Sequence, residues 1–155
     1  MALVKRAIRG AAAGAVATAA MTAVLGAAGA SGLLHRQPPE KIVRTLFPGL
    51  PAGGREVLAL ASHVAYGVGG GALYSCMTPS KYQDAGTGTV FGAMVWLAGY
   101  EGWLPAFGIL PPAHKDRPGR AASVYVAHLV YGWTLGRTAS LIHGKAERRD
   151  RGLAP

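Results

Sequence analysis

This sequence has few acidic residues, almost no cysteine and no long charged run through its middle. Seven Asp and Glu face sixteen Lys and Arg in 155 residues, while half the residues are apolar and 23 are glycine. So low a charge density, with so much glycine, suits closely packed membrane helices better than a water-soluble core. The single cysteine, Cys76, excludes an intramolecular disulfide. No haem-attachment motif occurs. No RNA- or DNA-binding signature occurs either. Gly69-Gly70-Gly71 follows no strand and lacks the Lys-Ser/Thr of a phosphate loop. Ser62 precedes His63 directly, and neighbours on a helix do not face each other, so they make no nucleophile–base pair.

The net charge of +9 is not spread along one helix face. The basic residues lie between and beyond the apolar runs, where they would meet anionic headgroups. The expected partner is therefore a lipid bilayer and not nucleic acid.

Four segments are nearly free of charge. Gly10 to Leu34 holds no ionisable side chain; Val57 to Ser80 holds His63; Ala85 to Pro112 holds Glu101; Ala121 to Leu141 holds His128 and Arg137. Each reaches the ~20 residues a spanning helix needs. The expected helices cover about 10–33, 57–78, 86–107 and 121–142, in one integral membrane domain over 1–155. The first has a second reading. Lys5, Arg6 and Arg9 before an Ala-rich run resemble a cleaved signal peptide, although the run is long for one. Between the first two segments, a linker from His35 to Gly54 contains Pro39 and Glu40, which suit a helix start. Ile42, Val43, Leu46 and Phe47 would then share one side of an interfacial helix over 39–47; an ordinary polar loop is the competing reading. Gly144 is placed to cap the last helix, ahead of the charge cluster from Lys145 to Arg151.

One motif occurs twice, 65 residues apart. Arg55, His63, Tyr66, Gly67, Gly71 and Ser75 return as Arg120, His128, Tyr131, Gly132, Gly136 and Ser140. Gly10 and Gly14 of the first segment are echoed by Gly88 and Gly92 of the third. The expectation is an all-α, four-helix transmembrane bundle from a duplicated helical hairpin, its halves related by an axis along the membrane normal. Eight basic residues on the terminal side, Arg151 among them, against seven on the other, Arg36 among them, do not decide orientation. The dense terminal clusters favour cytoplasmic termini.

His63, Gly67 and Gly71 form a stripe on one helix, as do His128, Gly132 and Gly136 on another. Each glycine pair lets a neighbouring backbone approach closely. Each histidine lies roughly 10 Å into its helix at 1.5 Å per residue, and Glu101 would come to a similar depth. Tyr66 and Tyr131 sit about a turn deeper. A polar layer of His63, Tyr66, Glu101, His128 and Tyr131 is therefore expected, because an ionisable group at depth is costly unless paired.

Three uses of such a layer compete. It can be structural glue between helices. It can ligate haem or a metal through His63, His128 and Glu101, although no further ligand supports a cofactor. Or it can pass protons or a solute, as a proton-coupled transporter or channel subunit, which for four helices calls for a homo-oligomer. Trp96, Trp103 and Trp133 read as packing or interfacial residues.

Glu101-Gly102-Trp103-Leu104-Pro105 through Leu110-Pro111-Pro112, followed by Ala127-His128-Leu129-Val130-Tyr131-Gly132, resembles the YagU-like family of small bacterial inner-membrane proteins of unknown function. Gly14, Thr18 and Met21 fit that style too. The resemblance implies a multi-helix protein of the inner membrane, with a link to envelope or acid stress. It transfers no catalytic residue. The sequence thus leans towards a non-enzymatic membrane protein.

Overall fold

The structure, a computed structural model, describes residues 2–34, 38–150 and 152. His35, Arg36 and Gln37 of the linker, and Arg151 of the terminal cluster, lie outside the described residues. Every regular element among the described residues is helical. Helix α1 spans Ala2–Ala30, α2 Pro38–Leu46, α3 Ala52–Met77, α4 Ala85–Trp96 and α5 Pro118–Asp150. Beyond α4 the chain continues through a π-helical stretch, Leu97–Trp103, and one further helical turn, Leu104–Ala106.

Local chemistry explains most ends. Alanine, the best helix former, dominates α1. Gly32, at φ +75°, stops it a few residues before the expected end. Asp84 caps α4: its Oδ1 accepts from the Thr87 N–H (2.9 Å), and its own N–H donates to Thr87 Oγ1 (3.2 Å). The last carbonyls of α3 are met from outside. Arg6 donates to the Ser75 carbonyl (3.1 Å) and the Thr78 carbonyl (2.8 Å), and Gln83 donates to Thr78 as well (2.8 Å).

One expectation is corrected. Gly144 does not end the last helix, which continues to Asp150. Lys145, Ala146, Glu147 and Arg148 are good helix formers, and that propensity carries the helix through a single glycine. The four expected segments all fall on helical structure. Over Leu3–Ala30 and Ala52–Met77 two helices are long and apolar enough to cross a membrane. The third segment leaves α-helical geometry after Trp96, and the fourth is diluted by Arg, His, Thr, Ser and Gly.

The long helices pack antiparallel through glycine. A Cβ added at Gly71 would lie 2.6 Å from Gly14 Cα, and one at Gly14 would lie 2.6 Å from the Gly67 carbonyl oxygen. The α4–α5 pair repeats this: a Cβ at Gly88 would lie 2.7 Å from Gly136 N, and one at Gly132 would lie 3.0 Å from Gly92 Cα. At such separations only backbone fits. Between the pairs, α1 packs on α5. That seam holds the core, with Ala13, Ala17 and Leu25 of α1 and Ala127, Tyr131 and Leu135 of α5 all buried.

Candidate functional site

Helices α3 and α4 meet at one level and part elsewhere. At the contact the Tyr74 ring lies 5.3 Å from Phe91, and the Tyr74 hydroxyl donates to Thr87 Oγ1 (2.9 Å). That direction follows because the Thr87 hydroxyl hydrogen goes to the Tyr82 carbonyl (2.7 Å). Away from this contact the two helices enclose a cavity of about 550 Å³. One wall is Ser62, His63, Tyr66 and Gly70 of α3. The facing wall is Phe91, Val95, Trp96 and Tyr100, with Trp103 beyond them. Thr18 and Met21 of α1, with His128 and Tyr131 of α5, form the floor. Pro39 and Ile42 of the short α2 close one end, while Leu46 and Phe47 stay exposed. Among the described residues, no Asp, Glu, Lys or Arg lines this cavity.

Four of the five residues of the expected polar layer line this cavity: His63, His128, Tyr66 and Tyr131. Their environments differ. The Nε2 of His63 meets Thr22 Oγ1 at 3.2 Å. The Nδ1 of His128 lies 2.8 Å from the Val124 carbonyl oxygen of its own helix. Tyr131 is buried, and its hydroxyl donates across the bundle to the Gly67 carbonyl (2.7 Å). Tyr66 stands at the cavity mouth, 56% exposed.

Glu101 does not join them. It is exposed, lies outside the cavity wall, and its Oε1 accepts from the Ala113 N–H (2.9 Å). Only a straight α-helix through the third segment would bring Glu101 to the depth of the histidines. The π-helical stretch resets its phase, and the Gly108 turn (φ +66°) brings the following loop back beneath the carboxylate. Consequently His63, His128 and Glu101 form no joint ligand set, and no group of three metal-binding side chains occurs among the described residues.

A second polar cluster, at Asp116, joins residues from the π-helical stretch, the loop and the start of α5. The Tyr100 hydroxyl and Arg120 Nε (2.8 Å) both donate to Asp116 Oδ2. The Arg120 terminal nitrogen and the Arg117 N–H (2.7 Å) meet Oδ1. Burial disfavours the charge on this carboxylate, but the donors from Arg120, Tyr100 and Arg117 outweigh it and hold the carboxyl below its ordinary range. The cluster fixes Tyr100 against the cavity, where Trp96 stacks on it with centroids 5.6 Å apart. Trp96 also meets the edge of Tyr125 at 4.9 Å. The sequence did hold a signal for the ion pair, an Asp four residues before an Arg at a helix start.

The chain matches no protein-family model, no curated protein and no solved structure.

Proposed function

We propose that this chain is a multi-pass bacterial inner-membrane protein, built as a four-helix bundle by duplication of a helical hairpin, and that it works by binding an apolar small molecule and not by catalysis. Its termini would lie in the cytoplasm. The two apolar helices support the membrane reading. So do large apolar side chains facing outward along every long helix, among them Ile8, Leu60, Met94 and Val126. The resemblance to the YagU-like family points the same way.

The observation that carries the binding role is where the cavity falls. Aligned on their glycines, α1 corresponds to α4 and α3 to α5. The closed α1–α5 seam then has a counterpart, the seam between α3 and α4. In the closed seam α1 presents Ala13 and Ala17, both buried. The counterparts on α4 are Phe91 and Val95, and both line the cavity, with Trp96 beside them. Bulky side chains hold the second seam apart where small ones let the first one shut. The opening is well formed, and about 550 Å³ falls within the ~300–1,000 Å³ of small-molecule sites.

Native mass spectrometry of the protein released from nanodiscs tests this. The wild type should retain an apolar adduct that Val95→Trp, which fills the cavity, loses. An adduct-free wild type, or the same adduct on Val95→Trp, would refute the binding role.

A further inference from the structure

The cavity's hydrogen-bonding atoms have a definite polarity, set by the partners they already have. A carbonyl oxygen only accepts, so His128 Nδ1 carries the hydrogen towards Val124. In the neutral ring His128 Nε2 is then a bare lone pair, and no described residue occupies it. Thr22 has one hydroxyl hydrogen, and it goes to the Thr18 carbonyl (2.8 Å). Its oxygen must therefore accept from His63, so Nε2 of His63 carries the hydrogen. That leaves His63 Nδ1 as a second lone pair. The Tyr131 hydroxyl hydrogen is likewise committed to Gly67, which leaves only its oxygen to accept. Two elements of the bundle thus bring three side chains with a remaining acceptor to the lining of one cavity. A ligand that brings only acceptors would leave them unpaired.

We infer that the cavity takes a neutral amphiphile whose head is an aromatic ring bearing hydroxyl groups, a phenol or hydroquinone with an apolar tail. This rests on the binding role proposed above. The head is uncharged, because no charged side chain among the described residues lines the cavity to neutralise it. It donates, because the histidines accept. It is flat and aromatic, because Phe91, Trp96, Tyr100 and Trp103 make up one wall and ring faces pack best on rings. Exposed Tyr66, at the mouth, is free to donate back to the ligand oxygen. The tail leaves between α3 and α4, past exposed Leu73 and into the acyl chains.

The test compares two probes that differ by one donor, 4-nonylphenol and its methyl ether 4-nonylanisole. Binding is read by tryptophan fluorescence of the full-length protein in nanodiscs, with empty nanodiscs subtracted. The phenol should bind at least about tenfold tighter, since a buried acceptor left unpaired costs roughly that factor or more. His128→Phe, which keeps a flat ring, should erase the preference while both probes still bind. His128→Gln, which restores an acceptor, should recover part of it. Equal affinity of the wild type for phenol and ether would overturn the donor assignment and leave the apolar cavity standing. Failure of both probes to bind would overturn the cavity's binding role as well. The wild-type comparison decides the matter even if a His128 variant does not fold.

Discussion

Gly71→Ala tests whether the helix pairs are held by backbone contact. At Gly71 a new Cβ would sit 2.6 Å from Gly14 Cα and 2.8 Å from Gly14 N, and would press on the Gly10 carbonyl oxygen too. All three obstacles are backbone, so no side chain can turn aside. Ordinary contact needs about 3.5–4.0 Å, so α1 and α3 must separate by roughly 1 Å, which forfeits a quarter to a half of the dispersion attraction along the stripe. Overpacking of this kind costs about 1–3 kcal/mol. The better helix propensity of alanine returns about 1 kcal/mol at most. Gly26→Ala is the control, because nothing lies within 4 Å of its added Cβ. It should leave stability unchanged or raise it. Reversible unfolding in mixed detergent micelles, followed by circular dichroism, measures both. If Gly71→Ala proves as stable as Gly26→Ala, the close approach of α1 and α3 is wrong.

Two further predictions concern polar groups. Tyr131→Phe removes the donor to the Gly67 carbonyl and should cost about 0.5–1.5 kcal/mol of stability in the same unfolding assay, with no loss counting against that bond. Asp116→Asn should lower the melting temperature at pH 7, and the gap from wild type should close in acid. The folded Asp116 carboxyl titrates below its unfolded value, so its contribution is complete above about pH 4 and disappears as pH falls through the folded value. Melting curves at pH 7 and pH 3 check this, and a gap of equal size at both would refute it.

Much of the helical layout was legible because charge-free runs and glycine spacing are local signals. The stripes through Gly10, Gly14, Gly67 and Gly71, and through Gly88, Gly92, Gly132 and Gly136, follow from spacing alone; most of them come up against backbone of the facing helix, whereas a Cβ at Gly67 would meet the Thr18 side chain. Helix ends were less legible. Gly32 stops a helix and Gly144 does not, and the difference lies in the residues that follow. Glu101 was misplaced because a π-helical stretch changes phase without any residue pattern that announces it. The Asp116 cluster was missed because its third member, Tyr100, is far from it along the chain. The cavity depends on which of two seams closes, and that becomes visible only when the helices are set side by side.

The repeated tyrosine shows what that choice does to identical chemistry. Tyr131 is buried in the closed α1–α5 seam and donates its hydroxyl hydrogen across the bundle to the Gly67 carbonyl. Tyr66 holds the matching place on α3, yet it remains 56% exposed and makes no hydrogen bond among the described residues. Its equivalent reach, towards α5, is across the space that Phe91 and Trp96 hold open. Both tyrosines line the cavity, but one also ties two helices together while the other stands open at the mouth. A polar stripe cannot be assigned a role from its own residues, because the role is set by the bulk of the facing helix. Alanine opposite lets the seam close, and phenylalanine and tryptophan opposite leave a cavity between the helices.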